Sequence, residues 1–321
     1  MLSTPSKTIR YAHWLFGVAA LGAVVVCANH FGETGQLWGL FLKARPEWLL
    51  AALMFQVGTY LWASLLLQIA LTNGNPRPTI RSLYSLSVAK QFISQAMPSI
   101  GLSGNFFVAK ALASRSVPRP KAIFVVLVNL LSYYIAFALA ITVTVVSLWW
   151  LDDLKPAILI SLTVFLALIV GVSLVIFWMG KNACRGLPKW IRDRVITPET
   201  DELFAATPAN SPWQFWLIVK TSAIQLLTFA SDAATLYCAL LSLDQVADPF
   251  VVLSSFVAAS AVAAIGLVPG GLGTFEGTCV AILHAHGMSI ELALAATLLL
   301  RSFTFWLPMI PGFWLARMEM K

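Results

Sequence analysis

Charge is what this sequence has least of. Only 11% of its 321 residues are charged and 59% are hydrophobic, whereas a soluble domain averages about 25% charged and about 45–50% apolar. Too few charges are present to cover a soluble body of this size. The mean hydropathy of +0.82 agrees, which excludes an ordinary cytosolic or secreted globular protein. Cysteine is scarce as well: Cys27, Cys184, Cys238 and Cys279 lie far apart, so neither a disulfide framework nor a metal site is expected. His284 and His286 are two residues apart, which on a helix points the rings to different faces and suits a hairpin end better than a metal site. No glycine-rich nucleotide-binding loop occurs, which argues against ATP-driven pumping, and no cofactor is expected. The adjacent acids Asp152 and Asp153 would serve a membrane glycosyltransferase, but a short acidic turn behind Trp149 and Trp150 is the simpler reading. The chain is not expected to be an enzyme.

What is present is long apolar runs. Strands of a membrane barrel would alternate, so the expected fold is an all-α polytopic membrane protein. Six stretches suit a spanning helix, at about 12–30, 48–71, 122–148, 157–179, 213–241 and 290–316. Two more, about 82–112 and 250–286, are broken internally by proline and glycine. The first break, 97–104, contains Pro98, Gly101 and Gly104; the second, 268–273, contains Pro269, Gly270, Gly271 and Gly273. Proline removes a backbone donor and glycine weakens helix. Each stretch is therefore expected to form a hairpin of two short helices, re-entrant or fully crossing. Residues 1–30 resemble a signal peptide in carrying Lys7 and Arg10 ahead of an apolar core. The run is long for a signal, and its removal would leave an odd number of spans, so it is kept as the first span.

The basic residues give the orientation. With the N-terminus cytoplasmic, the inside segments hold Lys7, Arg10, Arg77, Arg81, Lys110, Arg115, Arg119, Lys121, Lys181, Arg185, Lys189, Arg192, Arg194, Arg317 and Lys321. Only Lys43, Arg45 and Lys155 fall outside, where Glu33, Glu47, Asp152, Asp153, Asp244, Asp248 and Glu291 lie. By the positive-inside rule both termini are cytoplasmic, and 181–212 is a basic cytoplasmic loop. The formal charge of +7 thus records orientation and attraction to anionic lipid, and nucleic acid is not an expected partner.

The arrangement repeats. Within a single membrane domain, 1–321, residues 1–150 hold two spans, a broken hairpin and a span, and residues 156–321 repeat the order. Pro98 and Pro269 are 171 residues apart, and the same offset sets Val117 on Met288 and Ala122 on Ala293. Each unit crosses three times, so the second is inverted relative to the first. Inverted repeats with discontinuous helices recur in transporters.

Five charges fall inside the apolar stretches: Lys90, Lys220, Asp232, Glu276 and Arg301. Such charges are costly and usually face a water-filled cavity or a partner. Ser87, Lys90, Gln91, Ser94 and Gln95 share one helical stripe leading to the first break. Thr221, Gln225, Thr228, Asp232 and Thr235 form a second. Both stripes would line a hydrated groove or act as hydrogen-bonding glue between helices. Arg301 lies near mid-membrane and needs an anion, for which Glu276, Asp232 or a ligand phosphate would serve. Glu276 would alternatively cap its own helix. Lys220 is near enough to the inner surface to snorkel.

The stretch Pro269-Gly270-Gly271-Leu272-Gly273-Thr274-Phe275-Glu276, with Gly287-Met288 and Arg301 after it, carries a resemblance. It resembles the flippase-like transmembrane family named after the N-terminal region of lysylphosphatidylglycerol synthases. Pro269, Gly270, Gly271, Gly273, Glu276 and Arg301 match the family's late signature. Pro98 to Gly104, with Lys110, Leu112, Arg115, Val117 and Pro118, is similar to its first hairpin, although Asn105 stands where many members carry an acid and Ser116 where glycine is common. The resemblance implies a bacterial or archaeal inner-membrane protein that moves or helps handle lipids. Lys321 follows the last expected span by five residues, so lipid aminoacylation is not expected of this sequence. The expected function is a lipid flippase whose two hairpins meet in a groove for a phosphate-bearing headgroup. Lys90, Gln91, Gln95, Asp232, Glu276 and Arg301 would be its substrate-binding residues. Membrane lipids are the expected partners, with a second copy of the chain or a lipid synthase as further candidates. The alternatives are an enzyme acting on a lipid-linked sugar, or a scaffold that docks a synthase through the basic loop.

Overall fold

A computed structural model describes residues 34–71, 78–96, 102–150, 212–265 and 269–319, with Thr163, Ala167 and Gly171 as isolated helical positions. Among the described residues every element is helical. The order is α1 (Thr34–Lys43), α2 (Pro46–Ala70), α3 (Ile80–Ala96), α4 (Leu102–Ser114), α5 (Arg119–Trp150), α6 (Pro212–Ser242) and α7 (Pro249–Ile265). A short 3-10 turn (Pro269–Gly271) then leads to α8 (Thr274–Ala285) and α9 (Ile290–Arg301), and a π-helical turn (Ser302–Trp306) joins α9 to α10 (Leu307–Glu319).

Four helical runs are long and apolar enough to cross a membrane: Pro46–Ala70, Lys121–Ser147, Phe215–Ser242 and Ile290–Glu319. They coincide with the expected spans 48–71, 122–148, 213–241 and 290–316. The expected spans 12–30 and 157–179, the acids Asp152 and Asp153, and the basic loop up to 211 lie outside the described residues. Proline at the first position of α2, followed by Glu47, suits a helix start because the first N–H groups have no intrahelical acceptor. α1 is an addition to the sequence reading, which has only an outer loop there. It is ten residues long, and Leu40 and Phe41 lean on the core beside α9.

Both broken stretches fold as helix pairs. α3 packs on α4, and α7 on α8. Their lengths of 17, 13, 17 and 12 residues fall short of the ~20 needed to cross the hydrocarbon core. The first break is shorter than expected. Helix resumes at Leu102, so Gly104 sits inside α4 instead of in the break, while Pro98 and Gly101 lie outside the described residues. Gly104 has a packing role. A Cβ there would run into the Ser94 side chain and lie 3.0 Å from the Lys90 carbonyl oxygen.

The joint after each hairpin is built the same way, 171 residues apart. Ser116 (φ 61°) and Gly287 (φ 89°) both take the left-handed conformation that ends a helix. Val117 N–H donates to Leu112 O (3.2 Å) as Met288 N–H does to Leu283 O (3.3 Å). Ser116 N–H donates to Ala113 O as Gly287 N–H does to His284 O, and Ala122 N–H to Pro118 O as Ala293 N–H does to Ser289 O. These are the two bonds of a Schellman motif and the first bond of the next helix. Ser116 takes this conformation without the freedom of glycine, so the joint is set by its surroundings and not by local propensity.

Contacts sort the ends of the bundle. Arg115 pairs with Glu319 and its Nε donates to Ser82 Oγ, while Lys121 Nζ donates to Leu71 O, which gathers the outer ends of the first hairpin with the ends of α2 and α10. Elsewhere Arg45 N–H donates to Ser242 O and Arg45 pairs with Asp244 at 2.5 Å, joining the start of α2 to the end of α6. α2 and α6, the most extensive helix pair, therefore run antiparallel. Each hairpin has its own apolar core. Leu83, Leu86 and Leu112 centre the first, and Val257, Cys279 and Leu283 the second, with α5 contributing to both. Large apolar side chains cover the outside, among them Met54 (66% exposed) and Ile310 (69%). Such a surface suits lipid and would be an aggregation hazard in water.

Candidate functional site

The second hairpin turns on three glycines. Gly270, Gly271 and Gly273 have φ of 63°, 64° and 83°, a conformation that costs any residue with a Cβ. Space excludes a side chain too, since a Cβ on Gly270 would enter the Phe305 ring and one on Gly271 would lie 2.5 Å from Ala263 Cβ. The chain thus reverses tightly and starts α8 with Glu276 in its first turn.

Glu276 is fully buried and both of its oxygens are used. Oε2 accepts from Gly273 N–H at 2.6 Å, capping α8, and Oε1 accepts from Arg301 Nε at 2.6 Å. The two sequence expectations for Glu276, a cap and a partner for Arg301, hold together. Arg301 Nη2 donates to Gly270 O at 2.6 Å, on a peptide whose left-handed turn aims the carbonyl at the guanidinium. The guanidinium carbon lies 5.0 Å from the Phe275 ring centroid and 4.7 Å from that of Phe305. Two hydrogen bonds, one carboxylate and two aromatic faces therefore close around one buried cation. Arginine suits this task because its planar fork bonds two acceptors at once while its faces stack. Phe275 and Phe305 were not singled out by sequence, although Phe275 directly precedes Glu276 and Phe305 lies four residues after Arg301.

The first hairpin has a neutral counterpart. At the same offset of 171, Asn105 takes the place of Glu276; it is buried, and Asn129 Nδ2 of α5 donates to Asn105 Oδ1 at 3.1 Å. Leu130, not a basic residue, corresponds to Arg301. The expected stripe on α3 is formed. Ser87 is buried and bonded to Leu83 O, whereas Lys90, Gln91, Ser94 and Gln95 remain half-buried. Lys90 lies along Gly104 and makes no hydrogen bond or ion pair among the described residues.

Gln95 joins the two hairpin regions. Its Nε2 donates to Thr304 O at 3.2 Å, inside the π-helical turn that follows Arg301. Pro308 lies four residues after Thr304 and has no N–H to give to that carbonyl. The Gln95 amide occupies the acceptor that proline leaves open. α3 also packs directly on the 3-10 turn Pro269–Gly271, so the first hairpin touches the break of the second. α3 and α10 approach closely at Gly312, where a Cβ would lie 2.6 Å from Phe92 Cβ.

The stripe on α6 is partly glue. Thr221 and Ser132 share a hydrogen bond of 2.6 Å between α6 and α5, while Thr228 and Thr235 bond carbonyls of their own helix. Asp232 forms neither a hydrogen bond nor an ion pair among the described residues. Lys220 is exposed. His284 and His286 each bond a backbone carbonyl at the end of α8 through Nδ1, at 2.8 Å. Their role is to finish a helix.

A helical membrane protein with two hairpins of short helices, one locked by a buried glutamate–arginine pair, is the class these features define. Residues 14–312 match the family described as the lysylphosphatidylglycerol synthase TM region, and the chain belongs to that family. Comparison with curated proteins gives no match.

Proposed function

We propose that the protein moves a phosphate-bearing, polar-headgroup lipid across the bacterial inner membrane, as a transporter and not an enzyme, with both termini cytoplasmic. The observation that carries this reading is Lys90. It is a half-buried cation inside an apolar hairpin, with no anion among the described residues, while the other intramembrane cation near the hairpins, Arg301, is paired with Glu276 and bonded to Gly270 O. A cation in that setting gains from a phosphate, and Gln91 and Gln95 on the same stripe add donors for its oxygens. Glu276 and Arg301 then serve by holding the second break in shape beside this stripe.

The framework supports movement. The repeated joints, the antiparallel α2 and α6 and the contact between α3 and the second break fit two inverted units whose re-entrant hairpins meet between them. Rocking of one unit against the other would expose the Lys90 stripe to each side in turn. Proteoliposomes that contain the purified protein test this. Labelled phospholipid in the inner leaflet should become accessible outside faster than in empty vesicles, and a neutral lipid without phosphate should not. Equal rates for both lipids, or a rate no higher than in empty vesicles, would reject the reading.

A further inference from the structure

Asp232 is the intramembrane charge that lipid binding at Lys90 leaves unexplained. It lies well inside the span Phe215–Ser242 and is half-buried. The helices packed on α6 are α2, α5, α7 and α9. From α2 comes Tyr60, with Glu47 at the far start of that helix. From α5 come Tyr133 and Tyr134, with Arg119 and Lys121 at its start; α7 brings no titratable group. α9 brings Glu291 at its start and Arg301 at its end, the latter paired with Glu276. On α6 itself, Lys220 is exposed about three turns away, and Tyr237 and Cys238 follow. Lys90 stands on α3, which packs on α2 and is not among the main neighbours of α6. Among the described residues, no cation balances this carboxylate.

An uncompensated carboxylate in a membrane interior costs several kcal/mol, which protonation removes. A phenol O–H donates to a carboxylate and its oxygen accepts from a carboxylic acid; Tyr60, on the neighbouring α2, has its hydroxyl buried with no hydrogen-bond partner among the described residues. A metal cation is poorly served, since hard cations want about six or more oxygen ligands and no group of three or more acids, histidines and cysteines exists among the described residues. Position adds a second argument. Asp232 lies on α6, whose most extensive helix contact is with α2, a contact between the first and second halves of the chain. Any movement at that contact carries the carboxylate within the membrane span, and neutralisation by a proton lowers its cost.

We propose that Asp232 is a proton-binding site that couples lipid movement to the transmembrane proton gradient. The coupling rests on the transport reading; the proton site itself does not. Two experiments separate them. In proteoliposomes, an imposed pH gradient should change the rate of lipid movement several-fold. The ratio of rates with and without the gradient should fall to one in Asp232→Asn and be restored in Asp232→Glu. Lipid movement that ignores the pH gradient, that keeps its response in Asp232→Asn, or that follows a sodium gradient instead, overturns the coupling and leaves the transport reading standing. Infrared difference spectra of the reconstituted protein on acidification should show a carboxylic-acid C=O band that Asp232→Asn lacks. Absence of that band overturns the proton site whether or not lipid moves.

Discussion

The two hairpins occupy equivalent places in the chain and are stabilised by opposite means. At one position the second hairpin has Glu276 and the first has Asn105. Glu276 forms a buried ion pair with Arg301, which also bonds Gly270 O between two phenyl rings. Asn105 Oδ1 accepts a neutral hydrogen bond from Asn129, and Lys90 of α3 lies over Gly104 without an anion among the described residues. Charge in the second hairpin is spent internally. In the first it is left over. On the proposed function, the paired Arg301 holds the second hairpin in shape, and the unpaired Lys90 would make the first hairpin the surface that meets a ligand.

The largest expected effect is on the joint. Glu276→Ala removes one partner of a buried pair and leaves Arg301 uncompensated, at about 3–5 kcal/mol; a clear loss of thermal stability in detergent should follow. Replacing both, as Glu276→Leu with Arg301→Met, should recover part of it, because a buried pair exchanged for apolar groups is often near neutral. Asn105→Ala should cost less, about 1–3 kcal/mol, through an amide left without its partner. Equal losses at the two positions would erase the contrast between the hairpins.

The smallest effect concerns their connection. Gln95→Leu withdraws the donor from Thr304 O, at roughly 1 kcal/mol. Adding Pro308→Ala should return most of that, because alanine restores a backbone N–H four residues after Thr304. If the two changes are simply additive in chemical denaturation, Gln95 does not stand in for the missing proline donor.

Much of this fold was legible in the sequence because lipid enforces simple rules. Apolar runs of the right length located the four described spans to within three residues, and proline–glycine clusters located both hairpins. Glu276 and Arg301 were legible as charges in apolar surroundings, and a carboxylate just after a helix start was a ready cap. Less was legible where the cause lies across the fold. That Arg301 takes Glu276 rather than Asp232 depends on α8 and α9 packing together, and nothing local in sequence distinguishes the two acids. Gln95 bonding Thr304 joins residues 209 apart in the chain. Pro308 in a span signals an orphan carbonyl but not the side chain that fills it. Gly104 reads as a helix breaker, yet it lies within α4 because Ser94 and Lys90 of α3 need its space. Asn129 in an apolar span asks for a partner, but nothing local in the sequence points to Asn105.

Whether Lys90 is the working cation is decided by the rate of lipid movement in proteoliposomes holding equal amounts of folded wild-type protein and Lys90→Gln. Glutamine keeps polarity and approximate length while it removes the charge. Lys90→Gln should lose movement of phosphate-bearing lipid with its melting temperature preserved. Wild-type rates in Lys90→Gln would contradict it.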